Sequence, residues 1–530
     1  MSAMEHDRIA RAAGVVGSAT LLSRILGYAR DMVIAYFFGA GLATDAFFVA
    51  FRIPNTLRRL FGEGSMTVSF IPVYTEYLVH RAKEESRELV DVAFTLASSV
   101  LMALTILGMV FSPQIVAILA PGFKDPKQVE LTIVMTRIVF PYLFFIGLVA
   151  LAMGILNAHR HFAAPALAPT LLNLSMIACA YLLFRRLTEP IVSLAIGVFF
   201  GGVIQLAFQL PFLIKKGVMF RFNFHFLHPA IKRICILMGP ALLGVAVVQI
   251  NLFVGQILAS FLLEGSISFL YFAYRLIEFP LGIFVIALGT AVLPSFSQLV
   301  SKGKMEEFRD AISFSVRLVL FVAVPAMVGL IVLRIPIIHL LFQHGAFDYR
   351  DTLLTAQALF YFGIGLWAIA GVRILAPAFY AVQDTKTPVK MAVVSLLANV
   401  GLSLVLMGPL EHAGLALANS LASMINVCLL LVWLRRRIGE IDWARTIRSL
   451  IQVAAASIVM GWVSYWVVGK ASWVSAGHWG EKIFFLAAGI AAGVFTYISI
   501  SYLLRNGELS FLMQMLRGRR KPLRFEGEIE

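Results

Sequence analysis

Charge is what this sequence has least of. Only 14% of its 530 residues are charged, against about 25% in an ordinary soluble domain. No polar stretch is long enough to fold as a catalytic domain; the longest, residues 215–233 and 505–530, are each under 30 residues. The patterns GxxxxGK[ST], GxGxxG opening a helix, HExxH and GxSxG do not occur, so the chain encodes no nucleotide-driven motor and none of those hydrolytic centres. Cysteine is scarce too. Cys179, Cys235 and Cys428 are far apart, without CxxC or Cys/His spacing, which excludes a disulfide framework and a zinc site. No A-x-A site follows the first apolar segment, which is too long and too charged for a cleaved signal and reads as a retained span.

What is abundant is apolar side chain, 60% of the total. A window of about 20 residues predicts an all-α integral membrane protein of fourteen transmembrane helices. Their approximate bounds are 12–38, 44–79, 89–119, 129–157, 162–184, 190–214, 234–263, 267–300, 310–342, 352–382, 391–409, 412–434, 449–469 and 483–504. Pro72, Pro113, Pro141, Pro280, Pro294, Pro325 and Pro377 mark expected kinks. The net charge of +15 lies in short clusters between spans, not on a basic domain with interleaved aromatics, so no nucleic-acid partner is expected. With the N-terminus inside, one set of loops and tails holds 27 lysines and arginines and the other 7, the remaining ten of 44 lying within spans. That asymmetry predicts cytoplasmic termini.

The charges inside the spans carry the functional signal. A charge at the bilayer centre costs roughly 2.5–3.5 kcal/mol on insertion scales, yet helix one contains Arg24, Arg30 and Asp31, and helix two Asp45, Arg52, Arg58, Arg59 and Glu63. Arg24 and Asp31 are seven residues apart, near two helical turns, and Asp45, Arg52 and Arg59 repeat that spacing. Arg59 and Glu63 stand at i,i+4 and predict a pair. Three carboxylates do not balance five arginines, so some guanidinium groups are expected to line a wet cavity holding an anion, while others form structural bridges.

An internal repeat supports this. FVAFRIP (Phe48 to Pro54) and FIPVYTEY in helix two match YFAYRLI (Tyr271 to Ile277) and VLPSFSQL in helix eight, with Arg52–Pro72 and Arg275–Pro294 separations of 20 and 19. NAHRHFAAP before helix five matches YAVQDTKTP before helix eleven. Each pair lies six helices apart. The expected organisation is two six-helix pseudo-repeat lobes, 1–228 and 229–438, and a C-terminal part, 439–530, with a helix pair and a basic tail. Lobes so related work by rocking about a central site, where Arg275, with Glu278 close behind, would join the arginines of helices one and two.

The strings SRILGYARD, FGAGLATDAFFVAFRIPN, LRRLFGEGS, APALAPTLLN, GPALLGV, RLIEFPLGIF, ALGTAVLPS and QDTKTPVK together resemble the MviN/MurJ family of bacterial lipid II flippases, within the multidrug/oligosaccharidyl-lipid/polysaccharide exporter superfamily. The resemblance runs from about residue 10 to 440. It implies movement of the polyprenyl-pyrophosphate-linked disaccharide-pentapeptide across the inner membrane for peptidoglycan synthesis. Lipid II, the bilayer and cell-wall synthesis proteins are the partners it implies. It assigns cavity roles to Arg24, Arg30, Asp31, Asp45, Arg58 and Arg275, and a gate role to Glu63; Arg52 stands where relatives often have lysine. Members that bind sodium do so between helices seven and eleven, where this chain has Gln249, Asn251 and Asn399, with Asp384 the only nearby aspartate.

The expected mechanism follows. Arg24, Arg30, Arg58 and Arg275 would take the pyrophosphate through bidentate guanidinium forks, Arg52 would line the cavity, and Asp31 and Asp45 would orient the arginines. Arg59 with Glu63 would gate, with hinges at Gly27, Gly62 and Gly64. No cofactor is expected; an outward-moving anion gains roughly 2.3 kcal/mol per charge per 100 mV, so the membrane potential can drive the step, and an ion gradient can couple to it. Arg317 is expected to snorkel from a helix end, and Arg137, Arg334 and Arg373 receive no role. A flippase for another polyprenyl-linked oligosaccharide, a multidrug exporter of this architecture, a scaffold protein and a membrane glycosyltransferase are the alternatives. A positive cavity disfavours drug cations.

Overall fold

The computed structural model describes residues 3–58, 66–226, 228–440, 442–475 and 477–516. Every regular element among them is helical: α1 Ala3–Phe38, α2 Leu42–Arg58, α3 Met66–His80, α4 Lys83–Val110, α5 Ser112–Leu119, α6 Pro126–Val139, α7 Pro141–Ala158, α8 Ala163–Leu183, α9 Val192–Lys215, α10 Pro229–Ala259, α11 Ser266–Pro280, α12 Ile286–Ser301, α13 Met305–Val332, α14 Arg334–Phe342, α15 Tyr349–Ile364, α16 Leu366–Ala381, α17 Lys386–Ile438, α18 Trp443–Val468, α19 Trp479–Leu503 and α20 Gly507–Leu516. Eight of the described helices or unbent helix runs are long and apolar enough to cross a membrane, and nine if α15 and α16, bent by 41°, count as one.

Several expected spans are broken within themselves, and the breaks have local causes. Pro113 and Pro141 stand in the first turns of α5 and α7, where the missing N–H costs nothing. A five-residue π-helical turn, Leu281–Val285, follows Pro280, while Pro294, Pro325 and Pro377 are carried inside α12, α13 and α16. Gly365 separates α15 from α16, and a Cβ there would come within 2.5 Å of Ser420 Oγ. Spans eleven and twelve join without a loop, the reversal being made at Glu411 alone (φ 50°, ψ −132°).

Two compact units emerge: residues 1–268 with 345–347, and residues 269–344 with 348–530. The core of the first joins Phe70 and Tyr74 of α3, Leu89 of α4, Ile155 of α7, Leu213 of α9 and Ile231 of α10. Its tripeptide Gly345–Phe347 rests on the end of α1, with Ala346 N donating to Tyr36 O at 2.9 Å. Gly39 (φ +64°) and Gly345 (φ +59°) make that approach; a Cβ on either would collide with the facing backbone. The core of the second unit gathers Leu320 and Phe321 of α13, Val453 and Met460 of α18, Tyr497 of α19 and Leu509 of α20. Helices α18 and α19 meet closely at Gly489 and Gly493, where Ser464 Oγ donates to Gly489 O at 3.0 Å.

Candidate functional site

The charged stretch of α1 is built around Arg30. Its guanidinium bonds Asp31 Oδ1 through Nε at 3.0 Å and Nη2 at 2.6 Å. Nη1 donates to Asn173 Oδ1 of α8 at 3.1 Å. Asp31 is fully buried and Arg30 is 8% exposed, so α8 supplies the polar lining that lets the pair stay inside an apolar bundle. The amide of Asn173 is used at both ends: Nδ2 donates to Ser23 O, two turns earlier on α1, at 3.1 Å. Arg24, the next residue, is half-buried and has no hydrogen-bond or ion-pair partner among the described residues. Buried Gly27 lies between them in a helix that runs unbroken through it.

On α2, Arg52 Nε donates to Gln256 Oε1 of α10 at 2.5 Å. Gln256 is buried, and its Nε2 finds no partner. Arg58 Nε reaches Asn55 Oδ1, one turn back, at 3.2 Å. Asp45 is engaged differently from the arginine-orienting role expected of it. Its Oδ2 accepts Gly265 N at 2.8 Å, and its Oδ1 accepts Ser268 N at 2.8 Å and Ser268 Oγ at 2.6 Å. The two backbone N–H groups are orphans at the start of α11, so Asp45 fastens the 265–268 turn. Arg59, Gly62, Glu63 and Gly64, the expected gate and hinges, lie outside the described residues.

In the second unit Arg275 Nη1 pairs with Glu278 Oε2 at 2.9 Å, one turn on in α11. Arg317 departs from the snorkelling expectation: Nε binds Glu508 Oε1 of α20 at 2.6 Å and Nη1 binds Ser313 Oγ at 2.7 Å. A buried carboxylate within reach removes any need for the guanidinium to seek water. Arg137 donates to Ser112 Oγ at 2.9 Å in the first unit. Arg334 donates to Ile331 O at 2.6 Å and lies over Phe360, and Arg373 is exposed. Gln249 and Asn251 stand on α10 and Asn399 on α17. Asp384 caps α17, accepting Thr387 N at 3.0 Å and Thr387 Oγ1 at 2.7 Å; both bonds hold its carboxyl below the usual carboxylate range. Among the described residues, no three His, Cys, Asp or Glu side chains converge on a metal position.

Sequence reasoning missed Asn173 and Gln256. An amide inside an apolar helix was the available signal for both, but their partners lie 143 and 204 residues away.

This bundle of apolar helices with arginines held by amides and carboxylates has the fold of a membrane transporter. The solved "Inward-facing conformation of a multidrug resistance MATE family transporter of the MOP superfamily" superposes with a TM-score of 0.67 over 81% of this chain and 98% of that one, at 16% identity. A nearer match is "Lipid II flippase MurJ, inward closed conformation", with a TM-score of 0.79, 29% identity, and 95% and 99% of the two chains covered. The family model described as "Lipid II flippase MurJ" matches residues 34–488. A "Probable lipid II flippase MurJ" of Vibrio cholerae serotype O1 is 38% identical over 508 residues, covering 94% of this chain and 96% of its own length. The chain belongs to the MurJ family.

Proposed function

We propose that the chain is a lipid II flippase of the bacterial inner membrane, a multi-pass transporter and not an enzyme, serving peptidoglycan synthesis. The observation that carries this reading is Arg24, a guanidinium inside an apolar chain with no acceptor among the described residues, in a protein whose curated relatives bear the lipid II flippase name over nearly their whole length.

In this reading Arg24 takes a pyrophosphate oxygen, because a guanidinium fork suits phosphate and an unpaired cation in an apolar setting favours an anion. Asp31 and Asn173 keep Arg30 oriented toward the same task. Arg58 and Arg275 are the further proposed contacts; Arg275 enters on the sequence repeat with the Arg52 segment. Arg52, Arg59 and Glu63 are proposed to line and gate the path, with Gly27, Gly62 and Gly64 as hinges. The full count of fourteen spans, the lobes 1–228 and 229–438, the tail-binding helix pair within 439–530 and the cytoplasmic termini belong to this proposal. The exposed apolar side chains Ile458, Trp462, Phe484 and Phe495 of α18 and α19 support a lipid-tail role for that pair. The driving force is the membrane potential, with proton or sodium coupling as an addition. Gln249, Asn251 and Asn399 are the polar side chains proposed to serve a sodium ion.

The test is lipid II accumulation in the inner leaflet on depletion of the native flippase, with rescue by this chain. Failure to rescue, with the protein present in the membrane, would oppose the assignment and favour a flippase for another polyprenyl-linked oligosaccharide.

A further inference from the structure

Residues 218–226, VMFRFNFHF, connect α9 to α10 without regular structure, yet they are held in place. Asp91 Oδ1 of α4 accepts Arg221 N at 2.9 Å, Thr95 Oγ1 accepts Asn223 N at 2.8 Å, and His225 Nδ1 meets Glu88 Oε1 at 3.3 Å. Residues 221, 223 and 225 thus tie the segment to α4 along its length. Positions 220, 222, 224 and 226 are all phenylalanine. Phe220 stacks on Phe94 of α4, with ring centroids 4.3 Å apart. The Phe222 ring leans on Phe94 from one side, 5.7 Å away, and is still 70% exposed; Phe224 is 68% exposed, the rings of 222 and 224 are 6.4 Å apart and nearly parallel, and Phe226 packs edge-on against Phe224.

Large exposed aromatics in a continuous ridge call for a covering, and the position of this one identifies it. Helix α4 has 28 residues, about 42 Å, against roughly 30 Å of hydrocarbon. Its charged residues, Lys83, Glu84, Glu85, Arg87, Glu88 and Asp91, all fall in its first nine positions, so the headgroup boundary crosses α4 where the Phe segment is pinned. Ile214, in the last turn of α9, is exposed apolar surface at the near end of the segment, and Lys215, Lys216 and Arg221 beside it are exposed cations.

We infer that residues 219–226 are an interfacial membrane anchor: Phe222 and Phe224 enter the headgroup–acyl boundary of the leaflet at the α4 start, and Lys215, Lys216 and Arg221 meet anionic phospholipid headgroups. Apolar area inserted at the boundary, with cations at its rim, is how non-spanning segments bind a bilayer. The inference rests on the membrane-spanning reading of α4 and α9, and its test does not read lipid II movement.

The full chain, with its three native cysteines replaced, is reconstituted in phosphatidylethanolamine/phosphatidylglycerol vesicles and spin-labelled at Phe222→Cys, Phe224→Cys and, for comparison, His225→Cys. Collision with oxygen, which concentrates in lipid, is compared with collision with a water-soluble nickel chelate. The anchor predicts an oxygen-to-nickel ratio several-fold higher at 222 and 224 than at 225. Equal, water-like ratios at all three sites would overturn it. Protection of 222 and 224 from both reagents would also overturn it, because that places protein over the ridge. Arg221→Gln with Lys215→Gln and Lys216→Gln, in the labelled chain, should lower the ratio at 222 and 224 in these vesicles and leave it unchanged in vesicles of phosphatidylcholine alone; the same loss in both lipids would remove the anionic headgroups from the account.

Discussion

Asn173 and Arg30 are joined across α8 and α1 by one hydrogen bond of 3.1 Å, and the same amide holds the carbonyl of Ser23 at 3.1 Å. One side chain therefore ties together the two turns of α1 that bear Arg24 and Arg30. Replacing Asn173 by alanine removes an acceptor from a buried guanidinium, which costs roughly 1.5–3 kcal/mol for a hydrogen bond to a charged group. N173A is expected to lower the thermal midpoint and to weaken complementation in a flippase-depleted strain without abolishing it. Unchanged stability and full complementation would show that Asp31 alone holds Arg30.

Asp45 separates a fold role from a substrate role. D45A leaves Gly265 N, Ser268 N and Ser268 Oγ without their acceptor, at roughly 1–3 kcal/mol for each buried donor that finds no water. The expected outcome is a reduced amount of protein in the membrane and a lowered melting temperature. Normal accumulation together with failed complementation would instead put Asp45 in the transport machinery.

The buried pair of Arg317 and Glu508 makes α20 part of the second unit, with Ser449 Oγ adding a bond to Glu508 Oε2 at 3.1 Å. Removing one partner of a buried pair costs about 3–5 kcal/mol, whereas replacing both by apolar groups is often near neutral. E508A should therefore destabilise more than R317M/E508M, as read by thermal unfolding in detergent. Equal effects of the two variants would show that the pair is solvated.

His159 and His161, just beyond the end of α7, supply a pH dependence. Burial, aided by Lys216, pushes both imidazoles below their ordinary value of 6.5. Their neutral forms are favoured in the folded chain, so between the folded and unfolded values the unfolded state binds more protons and stability rises with pH. The contribution is fully present above about pH 6.5 and is lost as pH falls from there through the folded values. H159Q/H161Q should flatten the melting temperature between pH 7 and 5.5. An unchanged slope would assign it to other groups.

How far the sequence discloses these features depends on how local each one is. Apolar runs mark most of the spans, because a helix that crosses lipid must be apolar along its length. Arg24, Arg30 and Asp31 are visible for the converse reason, as charges where charge is costly. The Arg30–Asp31 pair is legible because its members are neighbours. The attachment of Asp45 to residues 265–268 is not, since nothing local says which distant amide a carboxylate will meet. Helix α20 was hidden within a segment that reads as a basic tail; Glu508 and Leu509 are buried only because Arg317 and the α13–α18 face await them. The reversal at Glu411 without a loop likewise depends on packing and not on a turn residue.

The proposed grip of an α1 arginine on the pyrophosphate of a lipid-linked precursor is read out by lipid II translocation in vesicles containing either the unaltered chain or R24A, with folding checked by melting temperature. R24A is expected to lose translocation at an unchanged melting temperature, with R24K recovering part of it. Translocation by R24A at the unaltered rate would contradict that grip.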